Sequence, residues 1–405
     1  MAALTSLRIL DLVLTSRCNL ACSYCYQNAK SRNRLGWDAA REALDMLLAS
    51  REPEVGINFI GGEPLLEAEM IRKAVEYVSE HRPAGKRIRY SIGTNGMLLT
   101  EEHADFLARH HVDTYLSFDG LPAAQRFRGA GTFEKLDALL GRLRDEHPSF
   151  FRQRLTVTIT VLPSTVSHLP ASVSYFLDKG IARIAFSPKS TDTSDWDPAR
   201  IDEIREAFGK LYETSLSHWE KTGEIPLQAF RQGAQPSGTP TSRPMCGAGR
   251  GVNLTVDADG ETYGCVAFAK SYQRFPRFLE DRLEPMRLGS LAAAGFEDRL
   301  RAYPAAARKA EIFHHKERKY SSYGRCGECR YLASCEICPV SIGKQAGNRD
   351  PHRIPDFLCA FSLASNEARE RFPAAGGGAF APDRAHPAME KISALAARVR
   401  QARGG

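Results

Sequence analysis

Six short runs rich in β-branched and apolar residues punctuate the first half of the chain: Arg8 to Leu14, Gly56 to Ile60, Arg87 to Ile92, Thr114 to Phe118, Leu155 to Val161 and Ala182 to Phe186. Each has the length and composition of a strand. Between them lie stretches of helical period. Ile71, Ala74, Val75 and Val78 share one helix face, as do Phe133, Leu136, Leu140 and Leu143. Strand and helix in alternation predict a parallel sheet, and this rhythm leaves a doubly wound sheet and a barrel equally open. With 405 residues, 43% hydrophobic and 25% charged, the chain has the make-up of a globular protein large enough for more than one domain.

The first run leads straight into Thr15-Ser-Arg-Cys18-Asn-Leu-Ala-Cys22-Ser-Tyr24-Cys25-Tyr26, three cysteines at C-x3-C-x2-C spacing. Thiolates are the ligands of iron–sulfur clusters. Three of them on a four-iron cube leave one iron open to a small molecule, so the loop reads as catalytic. Zinc is the other metal that C-x2-C pairs hold, but a zinc knuckle needs a fourth ligand close by. The first histidine is His81, and Asp11 and Asp38 stand too far along the chain to close a compact site.

Ten cysteines would mean disulfides in a secreted protein and metal in a reducing compartment. Met1 to Ser6 is too short for a signal peptide, and Asp11 interrupts the apolar run that follows. No other apolar stretch has membrane-spanning length, so a cytoplasmic location without a membrane partner is expected. A net charge of +7 is mild for this length, with bases interspersed among acids. Nucleic acid is not implied.

The other seven cysteines follow a polar stretch, Gln228 to Pro244. Cys246 and Cys265 bracket the alternating Val252, Leu254 and Val256, then Asp257-Ala-Asp259-Gly260, which reads as a β-hairpin holding two thiolates near each other. Cys326-x2-Cys329-x5-Cys335-x2-Cys338 and a lone Cys359 complete the set. The expected organisation is a first domain over residues 1–227, a linker over 228–245, a cysteine-rich domain over 246–365, and a linker with a terminal helix over 366–405. Pro373 to Pro382 is rich in Ala and Gly, as flexible linkers are. Ala388 to Arg403 has apolar residues at helical spacing, for docking on the body or on a partner. His110-His111 and His314-His315 sit in polar surroundings and read as surface pairs.

The cysteine loop is followed one βα unit later by Gly61-Gly62-Glu63-Pro64. Together they resemble the signature of the radical S-adenosylmethionine (SAM) enzymes. That resemblance implies a partial (β/α)6 TIM barrel with a 4Fe-4S cluster at the C-terminal ends of its strands. The open iron would chelate the amino and carboxyl groups of SAM, which is reductively cleaved to a 5'-deoxyadenosyl radical. By the same match, Tyr24 lies beside the adenine, and Gly61, Gly62, Glu63 and Pro64 form the segment that meets the amino group. Asn95, in Gly93-Thr-Asn-Gly96, and Ser117, in Ser117-Phe-Asp-Gly120, fall on family segments after the third and fourth strands, with Ser117 on the ribose. Arg128 matches an arginine that meets the SAM carboxylate in peptide- and protein-modifying members. The resemblance names no catalytic base.

The second half resembles the SPASM domain, which carries two auxiliary 4Fe-4S clusters and brings the expected total to three. By family wiring Cys326, Cys329, Cys335 and Cys359 ligate one, and Cys246, Cys265 and Cys338 the other, whose fourth site is open or filled otherwise. The usual spacing before the last cysteine of the quartet is three residues, and here it is two. Most members with this layout modify ribosomally made peptides. The expected activity is therefore an intramolecular crosslink (C-C, C-S or C-O) in a precursor peptide, with a reductant such as flavodoxin or ferredoxin. Cys18 stands so early that the expectation is leader binding by a separate protein, by another surface of this one, or no leader at all. Oxidation or dehydrogenation of a small molecule or a protein side chain is the alternative. Its formylglycine-forming version places an aspartate after the second hairpin cysteine, where this chain has Val266. A non-catalytic iron–sulfur carrier would have no need of the SAM-binding residues.

Overall fold

The computed structural model describes residues 6–27, 31–190, 192–231, 247–272, 277–309, 316–335, 337–338 and 348–372. Strand and helix alternate as the periodicity predicts: β1 (Ile9–Thr15), α1 (Trp37–Leu48), β2 (Glu54–Gly61), α2 (Ala68–His81), β3 (Arg87–Thr94), α3 (Glu101–Arg109), β4 (Asp113–Ser117), α4 (Thr132–Glu146), β5 (Leu155–Val161), α5 (Leu169–Asp178), β6 (Ile184–Pro188) and α6 (Ile201–Thr222). The six strands are parallel and lie in the order β6-β5-β4-β3-β2-β1. This is a partial (β/α)6 barrel, with no ladder joining β6 to β1. Its helices turn the expected faces inward. In α2 the buried residues are Ile71, Ala74, Val75 and Val78, and in α1 they are Ala40, Ala43, Leu44, Leu47 and Leu48.

The chain then makes a four-residue helix, α7 (Gln228–Arg231), where the polar composition predicts linker. Its Phe230 is buried and stacks on Phe372, centroids 5.2 Å apart. One large apolar side chain buried in this way contributes about 1.5–3 kcal/mol, enough to order a short segment. The predicted hairpin is β7 (Asn253–Val256) with β8 (Glu261–Tyr263), turning at Gly260 (φ 84°). It does not stand apart from the barrel. β7 also pairs in parallel with β1, from Ile9↔Asn253 to Leu12↔Val256, and β9 (Arg287–Ser290) follows β8 to make one nine-stranded sheet. An open barrel edge would leave a row of unpaired backbone groups, and the hairpin covers it.

After α8 (Phe296–Lys309), the last described helix is α9 (Asp356–Arg371). It docks on the end of the barrel: Phe361 packs edge-on against Phe208 of α6 at 5.0 Å and against Phe186 of β6 at 5.9 Å. Cys246, His314-His315, the Ala- and Gly-rich stretch and the expected helix at 388–403 lie outside the described residues. His110 packs its ring on Phe106 at the end of α3.

Candidate active site

The cysteine loop leaves β1 at the C-terminal edge of the sheet and is held there by backbone contacts. Gly62 N donates to Thr15 O (2.8 Å) and Glu63 N to Arg17 O (2.9 Å). The glycine pair makes this approach possible. Gly61 has φ 153°, a Cβ on it would lie 2.5 Å from Thr15 O, and one on Gly62 would overlap the Arg17 carbonyl. What comes close to these glycines in the structure is thus the backbone of the cysteine loop.

Cys18, Cys22, Cys25, Tyr24, Gly61, Gly62, Asn95, Ser117 and Arg128 line a single cavity of about 260 Å³. Its walls come from the C-terminal ends of β2 to β6, the face on which barrel enzymes place their chemistry. Burial pushes the Cys22 thiol above its ordinary pKa, while the Arg128 guanidinium pulls the other way. Three sulfur donors beside a cation on one wall fit a cluster that holds an anionic ligand.

Glu63 and Pro64 take a different place from the one expected. Neither lines the cavity. The Glu63 carboxylate is fully buried behind the wall, where it accepts from Leu65 N (3.1 Å), Thr94 Oγ1 (2.7 Å) and Asn95 N (2.8 Å). It ties the end of β2 to the end of β3, and burial raises its pKa. Asn95 does line the cavity, yet its side chain is engaged in holding the loop. Nδ2 donates to Asn19 Oδ1 (2.7 Å) and to Cys18 Sγ (3.7 Å), and Oδ1 accepts from Met97 N (3.0 Å).

Arg128 and Tyr24 meet on Asp119. The Arg128 fork takes both Asp119 oxygens at 2.8 Å and also reaches Thr160 Oγ1 at 3.4 Å. Tyr24 Oη donates to Asp119 Oδ2 at 2.5 Å. Sequence reasoning recorded Asp119 only as part of the segment after strand four. It missed two other residues of the cavity. Tyr272, from the chain beyond the hairpin, stacks on Tyr26 at 5.3 Å and brings its hydroxyl to 3.5 Å from Gly61 O. Gln27 is 5% exposed and lines the cavity, and its buried Nε2 has no hydrogen-bond partner among the described residues. Its place two residues beyond Cys25 was the one signal available.

Cys326, Cys329, Cys335 and Cys359 line a second cavity, of about 280 Å³. Three come from one loop and the fourth from the first turn of α9, which explains how a cysteine 24 positions past Cys335 joins the set. Ser321 Oγ donates to Cys359 Sγ (3.0 Å). Burial, together with the neighbouring thiols, pushes Cys326 up to about 12, and burial pushes Cys359 up to about 11. Sulfurs crowded in this way call for a cationic group between them. The described cysteines are all reduced, and among the described residues no three His, Cys, Asp or Glu side chains converge to hold one metal ion. Thiols set around a cavity of this size fit a multi-atom iron–sulfur cluster. Cys338 opens onto a third cavity, of about 410 Å³, whose lining does not include Cys265.

Comparison with known proteins places these features. The profile of the Radical SAM superfamily matches residues 12–176. An uncharacterized protein of Methanocaldococcus jannaschii is 31% identical over 209 residues, half of this chain and 70% of that one. The mycofactocin maturase MftC of Mycobacterium tuberculosis is 26% identical over 329 residues, 80% of this chain and 75% of the maturase. Among solved structures, native anSMEcpe with bound AdoMet and the Cp18Cys peptide superposes with a TM-score of 0.68 at 18% identity, covering 97% of this chain and 99% of that one. Among the described residues, no helix is long and apolar enough to cross a membrane.

Proposed function

This chain belongs to the radical SAM superfamily, and from that premise we propose that it is a peptide maturase that forms an intramolecular crosslink in a ribosomally made peptide. The observation that carries the reading is the meeting of Cys18, Cys22 and Cys25 with Arg128, Ser117 and the glycine pair around one cavity at the strand ends, with a second thiol-lined cavity under α9. The likeness to a maturase along most of the chain, and to a fold solved with AdoMet and a peptide bound, supports it.

In this reading Cys18, Cys22 and Cys25 hold the SAM-binding 4Fe-4S cluster. Cys326, Cys329, Cys335 and Cys359 hold an auxiliary one, and Cys265 and Cys338, with Cys246, hold another. When bound, the first cluster and SAM supply a carbon radical that removes a hydrogen atom from the substrate. The chain's own residues do the positioning. Asp119 aims the Arg128 guanidinium and the Tyr24 ring into the cavity, Asn95 and Glu63 brace the loop against β3, and Tyr272 closes the wall from the hairpin side. The apolar barrel behind them keeps water from the reacting atoms. Ser117 stands at the end of β4, where it would bond the ribose.

Closing a bond between two substrate atoms removes two hydrogens, one as an atom and one as a proton with an electron, and the auxiliary cluster that Cys246, Cys265 and Cys338 would hold would be the acceptor of that electron. A reductant such as flavodoxin or ferredoxin starts the reaction. The test is mass spectrometry of the genomically adjacent peptide after anaerobic incubation with enzyme, reductant and SAM. A product lighter by two hydrogens, formed with 5'-deoxyadenosine and lost in Cys265→Ala, is expected. Formation of 5'-deoxyadenosine with the peptide mass unchanged would overturn the crosslink and favour oxidation of a small molecule.

A further inference from the structure

The third cavity lies between the other two. It shares Ser187, Pro188 and Ser190 with the candidate cofactor cavity, and Ile337 and Ser362 with the four-thiol cavity. One wall is the end of β6 and the other is a single face of α9, on which Leu358, Phe361, Ser362, Ser365 and Arg369 recur at three- and four-residue spacing.

The chemistry of this lining is uneven. Phe186, Ile337, Leu358 and Phe361 make an apolar strip extended by Ala185, Pro188 and Ala229, the Cys338 thiol opens beside Ile337, and hydroxyl and amide groups fill the rest. Arg369 is the one charged side chain among the described lining residues. It is held in place: Arg369 Nη2 donates to Asn366 Oδ1, which also accepts from Ser334 Oγ (2.8 Å), while Asn366 Nδ2 donates to Ser362 O (2.7 Å). Neighbouring acids on α9 are turned elsewhere, Glu367 to Arg205 (3.6 Å) and Glu370 to Arg330 (2.7 Å). A fixed guanidinium therefore faces a neutral, half-apolar cavity with no carboxylate partner among the described residues. Its planar fork matches a carboxylate, and a partly desolvated cation gains most from an ionic partner.

We propose that this cavity receives the peptide substrate and that Arg369 binds a substrate carboxylate. The apolar strip takes a neighbouring side chain, and the edge shared through Ser187 to Ser190 delivers the reacting residue to the cofactor cavity. The inference rests on the peptide-maturase reading and names the part of the peptide that the enzyme grips. Two sources offer a carboxylate, the peptide C-terminus and an acidic side chain, and charge at Arg369 serves either.

The test measures KM in six reactions: wild type and Arg369→Gln, each with the genomically adjacent peptide, with its C-terminal amide, and with its Asp and Glu changed to Asn and Gln. Loss of a charge-assisted hydrogen bond predicts a KM raised by about tenfold or more in Arg369→Gln. One of the two altered peptides should show the same rise with wild-type enzyme and no further rise with Arg369→Gln. The arm that rises identifies the source. The three reactions with wild-type enzyme decide the matter even if the variant folds poorly. Wild-type modification of all three peptides with the same KM overturns the carboxylate site alone. No modification of the native peptide overturns the maturase reading, and this site with it.

Discussion

Arg128 and Asp119 form a bidentate ion pair, with both nitrogen–oxygen distances at 2.8 Å and the two residues 7% and 1% exposed. Asp119 also takes the Tyr24 hydroxyl and, at 2.8 Å, Thr160 N. One carboxylate therefore joins the cysteine loop, the end of β4 and the end of β5. The arginine expected to bind a cofactor is first of all a structural partner, and what it offers to the cavity is the remainder of its fork.

Removing one member of such a pair strands the other charge. Asp119→Asn and Arg128→Ala should each cost about 3–5 kcal/mol of stability. The double replacement Asp119→Leu with Arg128→Met should recover much of that loss without recovering SAM affinity. Urea denaturation and anaerobic SAM binding measure the two effects. A double variant that binds SAM as the wild type does would remove the pair from the cofactor site.

The cysteine cavities make separable demands on iron. Three cubes should bring about twelve irons to the reconstituted protein. Replacing Cys18, Cys22 and Cys25 by alanine should leave about eight, and so should replacing Cys326, Cys329, Cys335 and Cys359. Iron analysis and Mössbauer spectra report both. A full iron content in either variant would refute the assignment of that group.

Gly62 sits where a side chain would strike the Arg17 carbonyl. Gly62→Ala should therefore displace the loop and lose the SAM-binding cluster, while the four-thiol cluster under α9 is retained. The expected signature is loss of the SAM-induced change in the cluster spectrum with the auxiliary signals intact. Unchanged SAM-responsive spectra would show that the loop tolerates the methyl.

Gln27 carries a buried amide donor with no partner among the described residues, a condition that costs about 1–3 kcal/mol. Gln27→Met should raise the stability of the SAM-free protein and weaken its SAM affinity, because Gln27 lines the cavity the cofactor would fill. Thermal denaturation with and without SAM tests both halves. A variant that gains nothing in stability and binds SAM normally would overturn this account.

Asp137 of α4 is held below its ordinary pKa by Lys179, whose Nζ lies 2.5 Å away, and by the Tyr175 hydroxyl. A depressed folded-state pKa contributes stability that is present above the unfolded value, near 3.8, and lost as pH falls through the lower folded value. The pair is about a third exposed, so Asp137→Asn should cost no more than about 1 kcal/mol. That difference from wild type should hold at pH 5 to 6 and fade below about pH 4. A difference in melting temperature that is constant down to pH 3 would assign the loss to packing.

Much of this molecule was legible in the linear chain because its information is local. The strand–helix alternation needs only periodicity and β-branched composition. Cys18, Cys22 and Cys25, and the run from Cys326 to Cys338, declare themselves by close spacing, and Gly61-Gly62 marks a close approach because nothing larger fits. What tertiary structure alone decided are the contacts made across strand ends. Nothing near Glu63 in sequence shows that its carboxylate is engaged by Thr94 and Asn95, or that Asp119 holds both Tyr24 and Arg128. The pairing of β7 with β1, which brings Tyr272 to Gly61, joins residues more than two hundred positions apart, and the seat of α9 against β6 joins Phe186 to Phe361, 175 positions on. Such contacts follow from the closing of a sheet and the docking of helices, where burial of shared apolar surface selects partners that no local pattern encodes. That is why the identity of the cysteines was readable and the walls around them were not.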